Sequence, residues 1–247
     1  MSLIFSIIYI KISVYIMKNI KLIISRHGQS IWNKENKFTG WTNIGLTKKG
    51  IKKSFELSDK LINNNIIPKI IYTSNLNRSI KTCNIIKNNI IHKTKCENIE
   101  IINNWRLNER NYGIFEGMNR NKAIELYGEE NINNIRNKYY YMPYISENKA
   151  VFDNNILYNN DNSTFIGESL NMIYKRLYPF WTKKILKDLL YHETLLIVSH
   201  KNTIKLLIQI IEELNDKDVE NLNINNSDLI VYHFDYQMNL INKELYN

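Results

Sequence analysis

Cysteine is close to absent: Cys83 and Cys96 are the two in 247 residues. They form no metal-ligand spacing and no disulfide framework, and they read as free thiols of a reducing compartment. The chain carries a net charge of +9, yet it has no dense Lys/Arg block and no nucleic-acid motif. Nucleic acid is therefore not an expected partner, and the basic balance suits a small polyanion instead. A membrane-length apolar run is also missing. Leu3 to Ile16 is nearly all apolar, but it is short and broken by Lys11. It has neither the basic start nor the small-residue cleavage site of a signal peptide. Residues 1–17 thus read as an apolar extension with three readings open: a start foreign to the domain, a targeting leader, or a membrane anchor. Stable membrane association is not expected, and the expected location is cytoplasmic unless that extension is a genuine leader.

Proline (3) and glycine (8) are scarce. In such a chain each glycine marks a turn or a close backbone approach. Gly28, Gly40, Gly113 and Gly117 are the informative ones.

Hydrophobic residues make up 44% of the chain, enough for a sizeable core, and the length fits one domain with insertions. Two short apolar runs stand out, Lys21 to Ser25 and Leu195 to Ser199. Each is rich in β-branched or leucine residues and reads as a buried strand of a parallel sheet. Each also ends near a histidine: Arg26-His27-Gly28 after the first, His200 after the second. In open α/β sheets ligands sit beyond the carboxyl ends of the strands, so both imidazoles are delivered to one edge. Taken alone, either is also an ordinary satisfied strand-end histidine.

Between these runs, Gln29 to Asn33 and Phe38 to Trp41 form polar, Gly-containing loops that suit an anion. Helical spacing runs from Leu46 to about Asn63 with Thr47 as N-cap. A strand, Ile70 to Tyr72, leads through Thr73-Ser74 to a helix with Arg78 near its start. A further strand covers about Glu97 to Ile102, and a helical pattern Lys122 to Tyr127. Residues 131–161 read as an insertion rich in Asn, Tyr and Lys. Ser169 caps a long helix over about Leu170 to Leu189, another helix starts at about Thr203, and Asp228 to Phe234 is hairpin-like. The alternation predicts an α/β fold over residues 18–247, with a mostly parallel central sheet and helices on both faces.

Seven blocks then occur in order: Arg26-His27-Gly28, Phe38 to Trp41, Leu107-Asn108-Glu109-Arg110, Tyr112-Gly113, Glu116-Gly117, Gly167 to Leu170, and Ser199-His200. From about Met17 onward the series resembles the cofactor-dependent phosphoglycerate mutases of the histidine phosphatase superfamily. The resemblance implies glycolytic interconversion of 3-phosphoglycerate and 2-phosphoglycerate through a phosphohistidine, primed by 2,3-bisphosphoglycerate and without metal. It implies His27 as nucleophile, its second ring nitrogen held as N–H by a backbone carbonyl. Arg26 and Arg78 are the phosphoryl clamps, His200 the second histidine, and Glu109 the general acid/base. Ser30, Asn33, Thr39, Gly40, Arg110, Tyr112, Arg120, Arg136 and Asn202 are the expected substrate-binding residues. A small phosphorylated acid is the expected partner, in a homodimer or homotetramer.

Four departures accompany the match. Lys201 stands where the family has Gly after the second histidine, Gln29 replaces a Glu, and Asn137 replaces the second of two arginines. The family's Lys- and Ala-rich tail has no counterpart after Leu245. A less covered site favours water, so a raised phosphatase-to-mutase ratio is expected. A phosphatase acting on a phosphomonoester, or a catalytically weak binding protein, are the alternative functions.

Overall fold

The computed structural model describes residues 20–143, 167–226 and 228–246. The apolar extension 1–17 and residues 144–161 of the expected insertion lie outside the described residues.

The elements follow in the order β1 (Ile20–Arg26), α1 (Lys48–Asn63), β2 (Ile70–Thr73), α2 (Asn77–Thr94), β3 (Glu100–Asn103), α3 (Arg120–Tyr127), α4 (Glu129–Asn137), α5 (Leu170–Phe180), α6 (Leu186–His192), β4 (Thr194–Ser199), α7 (Lys201–Glu212), α8 (Asp216–Asn221), β5 (Leu229–Phe234) and β6 (Leu240–Tyr246). They form one six-stranded sheet of order β3-β2-β4-β1-β5-β6. The β1–β4, β2–β4 and β2–β3 pairs are parallel; β1–β5 and β5–β6 are antiparallel.

Helices cover both faces. Successive β1 side chains point to opposite sides of the sheet. Leu22 and Ile24 pack with α5, α6 and α7, whereas Ile23 packs with α1 and α2. All three are fully buried, each contributing about 1.5–3 kcal/mol of burial free energy. Thr47 accepts from Gly50 N at 3.0 Å and so starts α1 at the expected cap. Ser169 accepts from Met172 N at 3.2 Å and starts α5.

Two expectations need correction. The long helix from Leu170 is interrupted: Pro179 lies within α5, and a π-helical turn, Trp181–Ile185, separates α5 from α6. Proline has no N–H for the helical ladder, and a π-turn absorbs that loss. Asp228 to Phe234 is not a hairpin in itself. Leu229–Phe234 is one strand, buried between β1 and β6, and the hairpin closes only through β6. No helix among the described residues is long and apolar enough to cross a membrane.

Within the described start of the expected insertion, residues 131–143, lies most of α4, which packs with α3. α3 and α4 bury Ala123, Ile132 and Ile135 in a small separate core with Phe38 and Phe115. This satellite sits beside the carboxyl edge of the sheet and supplies one wall of a cleft.

Candidate active site

β1 and β4 are parallel neighbours in a register that pairs Arg26 with Ser199. The next residue of each strand is therefore delivered side by side, and those residues are His27 and His200. His27 N donates to Ser199 O at 3.0 Å. The two rings lie 4.8 Å apart between centroids, tilted by 57°. Sequence positions 173 residues apart thus meet as a direct consequence of strand order.

His27 Nδ1 lies 2.7 Å from Gly28 O. A carbonyl only accepts, so Nδ1 carries the proton and Nε2 keeps its lone pair. Arg78 Nε donates to that Nε2 at 3.3 Å. Burial, and next the Arg78 and Arg26 charges, hold the His27 imidazole well below its ordinary range. His200 Nε2 is 2.7 Å from Ser74 Oγ, and burial followed by Arg78 depresses it in the same direction. Both imidazoles are neutral at pH 7.

Arg78 is buried at the start of α2 and donates to Thr42 O at 3.0 Å and Gly40 O at 2.7 Å. Burial brings its guanidinium down to about 10, so it stays charged. Arg26 donates to Ile224 O at 2.9 Å. Asn33, Thr39, Gly40, Tyr112, Arg120 and Arg136 line the same cleft as His27, Arg26 and Arg78. Three buried polar atoms there, Arg26 Nε, Thr39 Oγ1 and Arg120 Nε, have no hydrogen-bond partner, and neither has Nδ1 of the adjacent His200. Unpaired buried donors beside a surplus of cations fit an oxyanion ligand. No cluster of three His, Cys, Asp or Glu side chains occurs among the described residues.

Glu109 also lines the cleft. Its Oε1 accepts from Arg110 N at 2.8 Å and from Asn202 at 3.3 Å (N) and 3.1 Å (Nδ2). The carboxylate therefore sits on the N-terminus of α7, where the helix dipole favours it. Asn202 Nδ2 also donates to Tyr112 Oη at 3.0 Å.

Two expected ligands do not reach the cleft. Arg110 is fully buried, and its guanidinium donates to Glu168 O at 2.5 Å, Tyr141 O at 2.5 Å and Ile135 O. Its donors are taken up by three backbone carbonyls, so it fastens α4 and the loops beside it. Ser30 is also fully buried; its Oγ accepts from Asn33 N at 3.2 Å while Asn33 Oδ1 accepts from Ser30 N. It caps the one-turn helix Ile31–Lys34 in a reciprocal capping box.

Several supporting residues carried little or no sign in the sequence. Arg176 pairs with Glu168 at 2.8 Å, both buried, and donates to Asn108 O at 2.9 Å and Glu109 O at 3.1 Å. That pair fixes the loop holding Glu109, and of the two only Glu168 belongs to the Gly167 to Leu170 block. Glu116 accepts from Trp41 N at 2.9 Å, Tyr112 N at 3.1 Å, and Thr42 N and Oγ1 at 3.1 and 2.8 Å. Gly40 has φ +49°, and a Cβ there would collide with the Glu116 carboxylate. Of the departures, Lys201 and Asn137 both line the cleft, whereas Gln29 accepts from Thr47 Oγ1 at the start of α1.

The fold and paired histidines define a class, and the sequence comparison agrees: the profile of the histidine phosphatase superfamily (branch 1) matches residues 22–244. The chain is 40% identical over 232 residues to the 2,3-bisphosphoglycerate-dependent phosphoglycerate mutase of Buchnera aphidicola subsp. Cinara cedri, covering 88% of this chain and 95% of that one. The protein of the same name in Staphylococcus aureus (strain JH9) is 34% identical over 227 residues, 90% and 98% of the two chains. The chain belongs to the histidine phosphatase superfamily and, within it, to the family of these relatives. Among solved structures, a phosphoglycerate mutase from Bacillus anthracis matches with a TM-score of 0.63 at 16% identity, over 95% of this chain and 94% of that one. A "mycobacterial hydrolase 1" matches with a TM-score of 0.70 at 15% identity, over 93% and 97%. At such identities these two speak for the fold alone.

Proposed function

We propose that this chain interconverts 3-phosphoglycerate and 2-phosphoglycerate in glycolysis, through a phosphoryl group carried on His27. The observation that carries the reading is the state of His27. Its Nδ1 proton is held on Gly28 O, its Nε2 is unprotonated, and both lie in a cleft of cations with unpaired donors.

In the first half-reaction His27 Nε2 attacks the phosphorus of a bound phosphate ester. The N–P bond forms and the P–O ester bond breaks. Glu109 gives a proton to the departing oxygen. The Arg78 Nε–H, which donates its hydrogen bond to Nε2 beforehand, keeps its proton and donates to a phosphoryl oxygen instead as the lone pair is used. Arg26, Arg78 and His200 oppose the charge that develops on the three phosphoryl oxygens, and one such donor is worth about 10²–10³ in rate. In the return step Glu109 takes a proton from the neighbouring hydroxyl, whose oxygen attacks phosphorus while the N–P bond breaks. Arg120 and Arg136 hold the remaining anionic groups.

The cleft fits 2,3-bisphosphoglycerate as the priming donor, because cations extend beyond those beside His27. When bound it supplies the phosphoryl group that loads His27. The cationic lining gives a small phosphorylated acid as partner, and the pathway gives a cytoplasmic setting.

The test is conversion of 3-phosphoglycerate with and without catalytic 2,3-bisphosphoglycerate. Isomerisation that rises with the bisphosphate supports the reading. Release of inorganic phosphate without isomerisation replaces it with a phosphatase, in which water attacks the loaded histidine. Binding without turnover replaces it with a binding protein.

A further inference from the structure

Lys201 is the first residue of α7, directly after His200, and its side chain lines the cleft. The site is an unfavourable one for a cation. The helix dipole is positive at that end, and the first turn of α7 contains no acidic residue. Arg26, Arg120 and Arg136 all oppose its charge, and Glu109 alone among the cleft carboxylates favours it. One turn later Lys205 is buried and donates to the carbonyls of Val219 and Glu220 at 3.1 and 3.0 Å, a like charge at i,i+4. The hydrogen bond that Lys201 Nζ makes is to a neutral amide, Asn223 Oδ1, at 3.1 Å. Among the described residues no ion pair accounts for its placement.

An anionic ligand does account for it. Arg26 and Arg78 flank His27 and serve the phosphoryl group under attack. Arg120, Arg136 and Lys201 ring the rest of the cleft, and Arg26 Nε and Arg120 Nε there are buried and unpaired. Asn137, also on the wall, brings no charge. An ammonium is a compact point charge suited to phosphate.

We propose that Lys201 binds the phosphate that is not being transferred, and so favours bisphosphorylated over monophosphorylated ligands in this chain. The proposal rests on the function given above. Lys201 is then a specificity residue rather than a participant in the chemistry.

A structural alternative is at hand. Asn223 belongs to the loop that holds the two groups next to the nucleophile: Arg26 donates to Ile224 O, and Asn226 Nδ2 donates to His27 O at 3.0 Å. Lys201 could act by tethering that loop, and the test separates the two roles.

The experiment measures equilibrium binding of 2,3-bisphosphoglycerate and of inorganic phosphate by calorimetry, using full-length His27→Gln protein so that no transfer occurs. Adding Lys201→Met is expected to weaken the bisphosphate roughly tenfold, the scale of one charge-assisted contact, and inorganic phosphate less than about twofold. Lys201→Arg restores most of the difference. Asn223→Ala, which removes the tether and keeps the charge, leaves both affinities within about twofold. The proposal is overturned if Lys201→Met weakens both ligands equally, or if Asn223→Ala reproduces its effect. If His27→Gln protein with Lys201 intact binds bisphosphate no better than phosphate, the mutase reading itself fails, which is a separate outcome.

Discussion

His27 and His200 lie with ring centroids 4.8 Å apart, one directly after β1 and the other directly after the adjacent parallel β4. Both imidazoles are pushed well below the ordinary value of 6.5, chiefly by burial. The unfolded chain therefore binds more protons than the folded one between the depressed values and 6.5. Stability rises with pH across that window and declines on acidification below about 6.5. Replacing His200 with Gln removes one such group. The slope of unfolding free energy between pH 5 and pH 6.5 is expected to flatten by up to about 1.4 kcal/mol per pH unit, measured by urea denaturation. An unchanged slope contradicts the assignment. By the same reasoning, the rate of His27 phosphorylation stays flat from pH 7.5 to 6.5, with its acid limb lower still.

Glu116 accepts four hydrogen bonds, three from the loop Thr39 to Thr42 and one from Tyr112 N, and so ties that loop to Tyr112. Glu116→Gln turns one acceptor oxygen into a donor facing N–H groups. The expected result is a loss of about 2 kcal/mol of stability and a fall of at least roughly tenfold in kcat/KM. Gly40→Ala is expected to behave alike, since its Cβ meets the same carboxylate at a positive φ. Thermal unfolding and steady-state kinetics check both. A change in KM with unaltered stability would point to direct ligand contact instead.

Arg110 provides a sharper contrast. A substrate clamp and a backbone fastener predict different losses. With its donors on Glu168, Ile135 and Tyr141 carbonyls, Arg110→Met is expected to destabilise the fold by about 3 kcal/mol or more. Arg136→Met, whose side chain lines the cleft, is expected to raise KM by about tenfold with little change in melting temperature. Reversal of those two patterns refutes the placement.

Glu109→Gln keeps the acceptor oxygen for Asn202 but cannot exchange a proton. Isomerisation is expected to fall by about 10²–10⁴, while binding of inorganic phosphate changes little. Rapid-quench assays of phosphoryl transfer give the first quantity and calorimetry the second. Loss of both together would make Glu109 a structural residue.

The sheet edge was legible because two apolar runs each ended near a histidine, and parallel neighbours in register need only that signal. The α1 and α5 starts were legible because Thr47 and Ser169 are ordinary N-caps. A guanidinium in a motif block carries no mark of where it points: Arg110 is fully buried and donates to three backbone carbonyls. Arg176 and Ser74 escaped because their partners, Glu168 and His200, lie 8 and 126 positions away. Neither spacing has a local signature. The break at Trp181 to Ile185 was signalled by Pro179, but apolar periodicity continues through it.

The most direct measurement is the location of phosphate after brief incubation with 2,3-bisphosphoglycerate. Phosphate that is acid-labile and base-stable, mapped by mass spectrometry to His27 and lost in His27→Gln, is the expected result. In His200→Gln the label still forms on His27, but at least roughly a hundredfold more slowly. Phosphate on another residue, or an unaltered amount in His27→Gln, contradicts the account.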